Sequence, residues 1–123
     1  MIDKKYTYAI VGASNNEEKY GYKVLRDLKD AGYKVVPINP REKEILGLRA
    51  YLKLSDYKEG IDVVVFVVPP QVTEAVLKEV RELEIKNVWM QPGSESWEAI
   101  EYCEKNNINY IHNACIMIDR KQV

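Results

Sequence analysis

Gly12-Ala13-Ser14 closes the first apolar run of the chain, and Gly21 stands nine residues after Gly12. A glycine at a strand's end lets the backbone turn tightly. The N–H groups opening the next helix can then hold a phosphate, helped by the positive end of the helix dipole. Ser14 adds a hydroxyl donor, and Tyr20 lies at the expected helix opening. The pattern is not the dinucleotide fingerprint G-x-G-x-x-G: the loop is longer and its second glycine comes later. Any tight strand–helix turn also uses glycine, so these residues fit both a phosphate site and a plain turn.

Asn39-Pro40-Arg41 follows the second apolar run. In NAD-binding domains a carboxylate near this strand end accepts hydrogen bonds from the ribose hydroxyls. Here Asn39 takes that place, no carboxylate comes before Glu42, and Arg41 and Lys43 offer cations where a ribose-borne phosphate would lie. That argues for a ligand with an extra phosphate, NADP or coenzyme A, over plain NAD. A solvated run of alternating charges is the bland alternative. Val68-Pro69-Pro70 stiffens the loop after the most apolar segment and presents a flat wall to an adenine or a pantetheine arm, although proline also starts helices for purely structural reasons. Gln91, before Pro92-Gly93, could donate to a ligand. Trp89 reads as core.

Cys115 and His112 stand three residues apart, a spacing that could pair a nucleophile with a base. The segment Ile111 to Ile118 is largely apolar, however, and a free cysteine there behaves as a small buried hydrophobe. His112 is the only histidine, and Cys103 and Cys115 stand in no C-x-x-C arrangement. Metal chemistry, a disulfide framework and a catalytic residue are therefore all unexpected.

The elements that must position these residues alternate from end to end. Tyr6 to Val11 reads as a strand, then Val24, Leu25, Leu28 and Ala31 recur at helical steps up to a C-capping Gly32. Lys34 to Ile38 is a second strand, with Pro37 removing one ladder donor. A polar connection follows, with a short strand or helix near Leu46 to Leu54. Ile61 to Val68 is a near-continuous β-branched run, the mark of a strand buried on both faces in a parallel sheet. Val72, Ala75, Val76, Val80 and Leu83 form a helical stripe. Asn87 to Met90 is a strand, Ser94 or Ser96 caps a helix through Trp97, Ile100 and Cys103, and Ile108 to Ile111 is the last strand. This alternation specifies an α/β, Rossmann-like three-layer sandwich with a mostly parallel sheet, whose ligands bind beyond the carboxyl ends of the strands.

With 123 residues the chain is read as one domain, 1–123. Its 18 basic and 19 acidic side chains leave a net charge of −1, which gives no electrostatic reason to expect nucleic acid or an anionic membrane as partner. No apolar run approaches membrane-spanning length, and no signal-like segment opens the chain, so a cytoplasmic location is expected.

Read together, six stretches resemble the CoA-binding domain family, small stand-alone proteins similar to the CoA-binding domain of the succinyl-CoA synthetase α subunit. They are Ala9 to Ser14, Lys19 to Tyr22, Gly32 to Pro40, Ile61 to Phe66, Val88 to Ser94 and Cys115 to Ile118, collinear over nearly the whole chain. The resemblance implies CoA lying over the strand ends. Gly12, Ala13, Ser14, Tyr20 and Gly21 would then contact its phosphates, Asn39, Pro40 and Arg41 would sit near the adenosine, and Val68, Pro69 and Pro70 would border the cofactor. Where the family carries an aspartate–arginine pair ahead of the last cysteine, this chain has Asn113-Ala114, so no role passes to Cys115. The expected function is non-catalytic binding of coenzyme A or an acyl-CoA. The alternative is a small NADP-binding enzyme or nicotinamide-responsive regulator.

Overall fold

The computed structural model describes residues 1–123. Five strands, β1 (Thr7–Val11), β2 (Lys34–Ile38), β5 (Val63–Phe66), β6 (Asn87–Met90) and β7 (Asn109–Ile111), form one sheet in the order β2-β1-β5-β6-β7. Every pairing in it is parallel. The chain order runs one way from β1 to β2 and the other way from β1 through β5 to β7, so the direction reverses between β1 and β5. That is where an open α/β sheet leaves a crevice. The α/β Rossmann-like reading is met.

Alternation along the strands sorts the core into two layers. Tyr8, Ile10, Val63, Val65 and Trp89 face helix α1 (Tyr20–Asp30), which presents Val24, Leu25 and Leu28. Ala9, Val11, Val64, Phe66, Val88 and Met90 face the opposite side. There they meet Leu77 and Val80 of α2 (Pro70–Glu82) with Ala99, Ile100 and Cys103 of α3 (Trp97–Lys105). All four residues of β5 are fully buried, as a central strand covered on both faces requires.

Several boundaries differ from the sequence reading. β5 stops at Phe66, because Val68 leaves the ladder and donates its N–H to Ser94 Oγ at 3.0 Å. Ser94 is therefore a tie between strand ends. Ser96 is the cap of α3, accepting from the Ala99 N–H at 3.1 Å, a contact generally worth about 1 kcal/mol. Pro37 is tolerated because β2 is the sheet's edge strand. The connection after it is a hairpin of β3 (Glu44–Ile45) and β4 (Leu48–Arg49), followed by a 3₁₀ turn at Leu54–Asp56. A short helix α4 (Ile116–Asp119) and a 3₁₀ turn at Arg120–Gln122 complete the chain. Neither is marked by any periodicity in the sequence. No helix is long and apolar enough to cross a membrane.

Candidate functional site

β1 ends at Val11, and Gly12 takes φ +99°, a conformation that only glycine adopts without strain. A Cβ at Gly12 would run into the Val67 carbonyl and lie 2.7 Å from Val68 Cγ1. A Cβ at Gly21 would overlap the Gly12 carbonyl. The two glycines therefore let β1, the loop after β5 and the first turn of α1 close on one another. The Gly12 N–H is bonded to Ile38 O at 3.3 Å and the Val67 N–H to Val11 O at 2.9 Å, which locks three strand ends together. The N–H groups of Ser14, Tyr20 and Gly21 have no backbone acceptor. Tyr20 and Gly21 are the first residues of an 11-residue helix whose cap position, Lys19, makes no side-chain capping bond, and Ser14 lies on the loop before it.

These groups border a cleft of about 1230 Å³ across the strand ends at the β1/β5 reversal. Of the residues singled out in the sequence, Gly12, Ala13, Ser14, Tyr20, Gly21, Asn39, Val68, Pro69 and Gln91 line it together. Pro40, Arg41 and Pro70 do not. Pro70 is the first residue of α2. Arg41 is exposed on the turn after Asn39. Asn15 anchors that turn, its Nδ2 donating to Glu42 Oε2 at 2.9 Å and to the Glu44 carbonyl at 3.0 Å.

Asn39 itself is held on both sides. Its Nδ2 donates to the Ala13 carbonyl at 2.8 Å, and its Oδ1 accepts from the N–H groups of Arg41 at 2.7 Å and Glu42 at 3.0 Å. It laces the glycine loop to the end of β2. Ser14 Oγ accepts from the Asn16 N–H at 3.0 Å and shapes the same loop. Gln91 is buried, with Oε1 accepting from the Ile116 N–H at 2.8 Å and Nε2 facing Cys115 Sγ at 3.4 Å. The Tyr20 ring is exposed at the cleft mouth beneath the Lys23 ammonium, 5.1 Å from its centroid.

The cations that line the cleft are Lys19 and Lys121. Lys19 falls within the stretch Lys19 to Tyr22 that carries the resemblance, and nothing in its spacing marks it as a cleft residue. Lys121, Met117 and Ile118 reach the cleft from the far end of the chain, and nothing local in the sequence signals that. Cys115 lines the cleft, whereas His112 is stacked on Tyr110 with ring centroids 5.9 Å apart and lies outside it. The two do not form a nucleophile–base pair. No group of three His, Cys, Asp or Glu side chains is placed to hold a metal ion.

Cys103 is enclosed in the core, and burial pushes its thiol up to about 11 from 9.0, with the Glu104 charge adding to the rise. A folded-state value raised this way contributes stability that is complete below about pH 9 and is lost as pH rises through about 11. The size is on the order of 2 kcal/mol. Urea midpoints are expected to fall more steeply between pH 8.5 and 10.5 in the parent than in Cys103→Ala. Equal slopes would remove the thiol as the cause.

A family model described as CoA binding domain matches residues 6–121. The chain is 31% identical over 121 residues to the alpha subunit of an ADP-forming acetate–CoA ligase II from Pyrococcus furiosus, covering 89% of this chain and 26% of that one. An ADP-forming acetate–CoA ligase from Methanocaldococcus jannaschii is 45% identical over 71 residues, 58% of this chain and 10% of the ligase. The chain thus spans about a quarter of the one curated relative and a tenth of the other. Among solved structures, a conserved hypothetical protein from Pyrococcus furiosus superposes with a TM-score of 0.89 at 43% identity, covering 93% of this chain and 98% of that one.

Proposed function

The chain belongs to the CoA-binding domain family, and we propose that it binds coenzyme A or an acyl-CoA in the cleft at the β1/β5 reversal without itself catalysing a reaction on it. The observation that carries this reading is the row of open N–H groups at Ser14, Tyr20 and Gly21 beside Lys19. They edge a cleft whose walls meet only because residues 12 and 21 lack side chains. Such a row suits a diphosphate: its N–H groups have no backbone acceptor, and those of Tyr20 and Gly21 are backed by the helix dipole. The wall of Val67, Val68, Pro69 and Pro92 suits an adenine or a pantetheine arm. The non-catalytic part of the reading rests on the lining itself, where Cys115 has no imidazole partner, the Asn39 amide is taken up by backbone groups, and the Gln91 amide is held between the Ile116 N–H and the Cys115 thiol.

The test is a calorimetric titration of CoA, NAD and NADP into the parent, Lys19→Ala and Arg41→Ala. CoA is expected to bind the parent more tightly than either nicotinamide cofactor. Loss of a charge-assisted phosphate contact is generally worth about 1.5–3 kcal/mol, so Lys19→Ala is expected to weaken CoA roughly ten- to a hundredfold. Arg41→Ala, outside the cleft, is expected to change it less than about twofold. Tighter binding of NADP than CoA would replace the ligand assignment. A larger loss at Arg41 than at Lys19 would move the phosphate site to the end of β2.

A further inference from the structure

After β7 the chain folds back over the end of β6 and the C-terminal half of α1, and three separate ties hold it there. Trp89 Nε1 donates to the Ala114 carbonyl at 2.9 Å, and Gln91 Oε1 accepts from the Ile116 N–H at 2.8 Å, with Ile116 fully buried. The Arg120 guanidinium then makes two parallel hydrogen bonds to the Asp27 carboxylate, at 2.9 and 2.8 Å, with both side chains only 22% exposed. Parallel bonds of this kind fix orientation as well as distance.

The consequence is electrostatic. Asp27 lines the cleft, and an unpaired carboxylate there would repel an anionic ligand. Arg120 neutralises it and in the same step sets the next residue, Lys121, on the cleft wall. Lys121 itself makes no ion pair. A lysine left unpaired beside a clamped ion pair, in a cleft already edged by open N–H groups, is placed to take negative charge.

We propose that the segment Cys115–Gln122 is a strap completing the cleft, that Lys121 takes a phosphate of the bound ligand, and that the Asp27–Arg120 pair is what positions it. This rests on the CoA reading of the same cleft. Arg120 is a positioning residue and Lys121 the one that touches the ligand.

The experiment is CoA titration at two ionic strengths into the parent, Lys121→Gln, Arg120→Ala and Arg120→Lys, with amide exchange followed over residues 115–123. Lys121→Gln is expected to weaken CoA about tenfold and to flatten the salt dependence, with exchange in the strap unchanged. Arg120→Ala is expected to weaken CoA similarly while exchange over the strap quickens, and Arg120→Lys to fall between the two. Parent affinity and an unchanged salt slope in Lys121→Gln would overturn the ligand contact. Parent affinity in Arg120→Ala despite a loosened strap would overturn the positioning role. A parent that takes up no CoA at all would overturn the reading of the cleft itself, an outcome distinct from either.

Discussion

Gly21→Ala is expected to remove ligand binding and to destabilise the protein by on the order of 3 kcal/mol, although alanine is the better helix former. Two effects of opposite sign compete at this position. Replacing a helical glycine by alanine generally gains about 0.5–1 kcal/mol from backbone entropy. Against it stands the new Cβ, which would overlap the Gly12 carbonyl and come within 2.8 Å of the Gly12 carbonyl carbon. That neighbour is backbone, already fixed by the bond of the Gly12 N–H to Ile38 O, so it cannot swing aside as a side chain could. Overpacking of this kind generally costs about 1–3 kcal/mol, and more where backbone must move. The clash therefore wins. Relief by displacing α1 would pull the N–H groups of Tyr20 and Gly21 off the loop that carries Ser14, which breaks up the phosphate edge even in the fraction that folds. Urea denaturation with CoA titration reads both consequences. An alanine variant with parent stability and parent affinity would show that α1 and the Gly12 loop do not pack as closely as described.

That pair of glycines shows what the sequence could and could not convey. Their presence at a strand end and a helix opening was legible, and so were the strand ends that form the rim, because a parallel sheet delivers every strand's carboxyl end to one side. Their mutual contact was not, because the nine-residue spacing matches no short fingerprint and the loop between them has to be folded before the two meet. β5 and the stripes of α1 and α2 were visible because buried strands and amphipathic helices write their period into the sequence. α4 left no such mark: Ile116, Met117 and Ile118 form an unbroken apolar triplet too short to show periodicity. Lys121 was beyond any local reading, since its place depends on a pairing between Arg120 and Asp27, 93 residues apart. Distance past the strand end alone places Arg41 near the cleft. The turn capped by Asn39 and anchored by Asn15 carries Arg41 on the exposed surface, and it is not among the residues that line the cleft.

Asn39 gives the sharpest test of lacing against ligand contact. If it holds the cleft's two loops together, Asn39→Ala loses one donor bond to Ala13 O and two acceptor bonds from Arg41 and Glu42. The cost is expected to be about 1–3 kcal/mol of stability, with CoA affinity falling tenfold or more as the Ser14 loop loses its tether. Asn39→Asp separates the possibilities further. The carboxylate keeps both acceptor bonds but turns an oxygen toward the Ala13 carbonyl, where Nδ2 now sits at 2.8 Å. Two acceptors then face each other, and a negative charge is added to the wall of a phosphate-binding cleft. At pH 7 the aspartate variant is therefore expected to bind CoA no better than the alanine variant. Lowering the pH toward about 4 protonates an ordinary aspartate and restores a donor, so part of the lost stability is expected to return. A residue reading ribose hydroxyls would behave in the opposite way: aspartate accepts from them at least as well as asparagine, and binding at pH 7 would hold or improve with no loss of stability. Retained affinity and an unchanged urea midpoint in Asn39→Asp would thus assign Asn39 to the ligand and leave the joining of the two loops to the backbone alone.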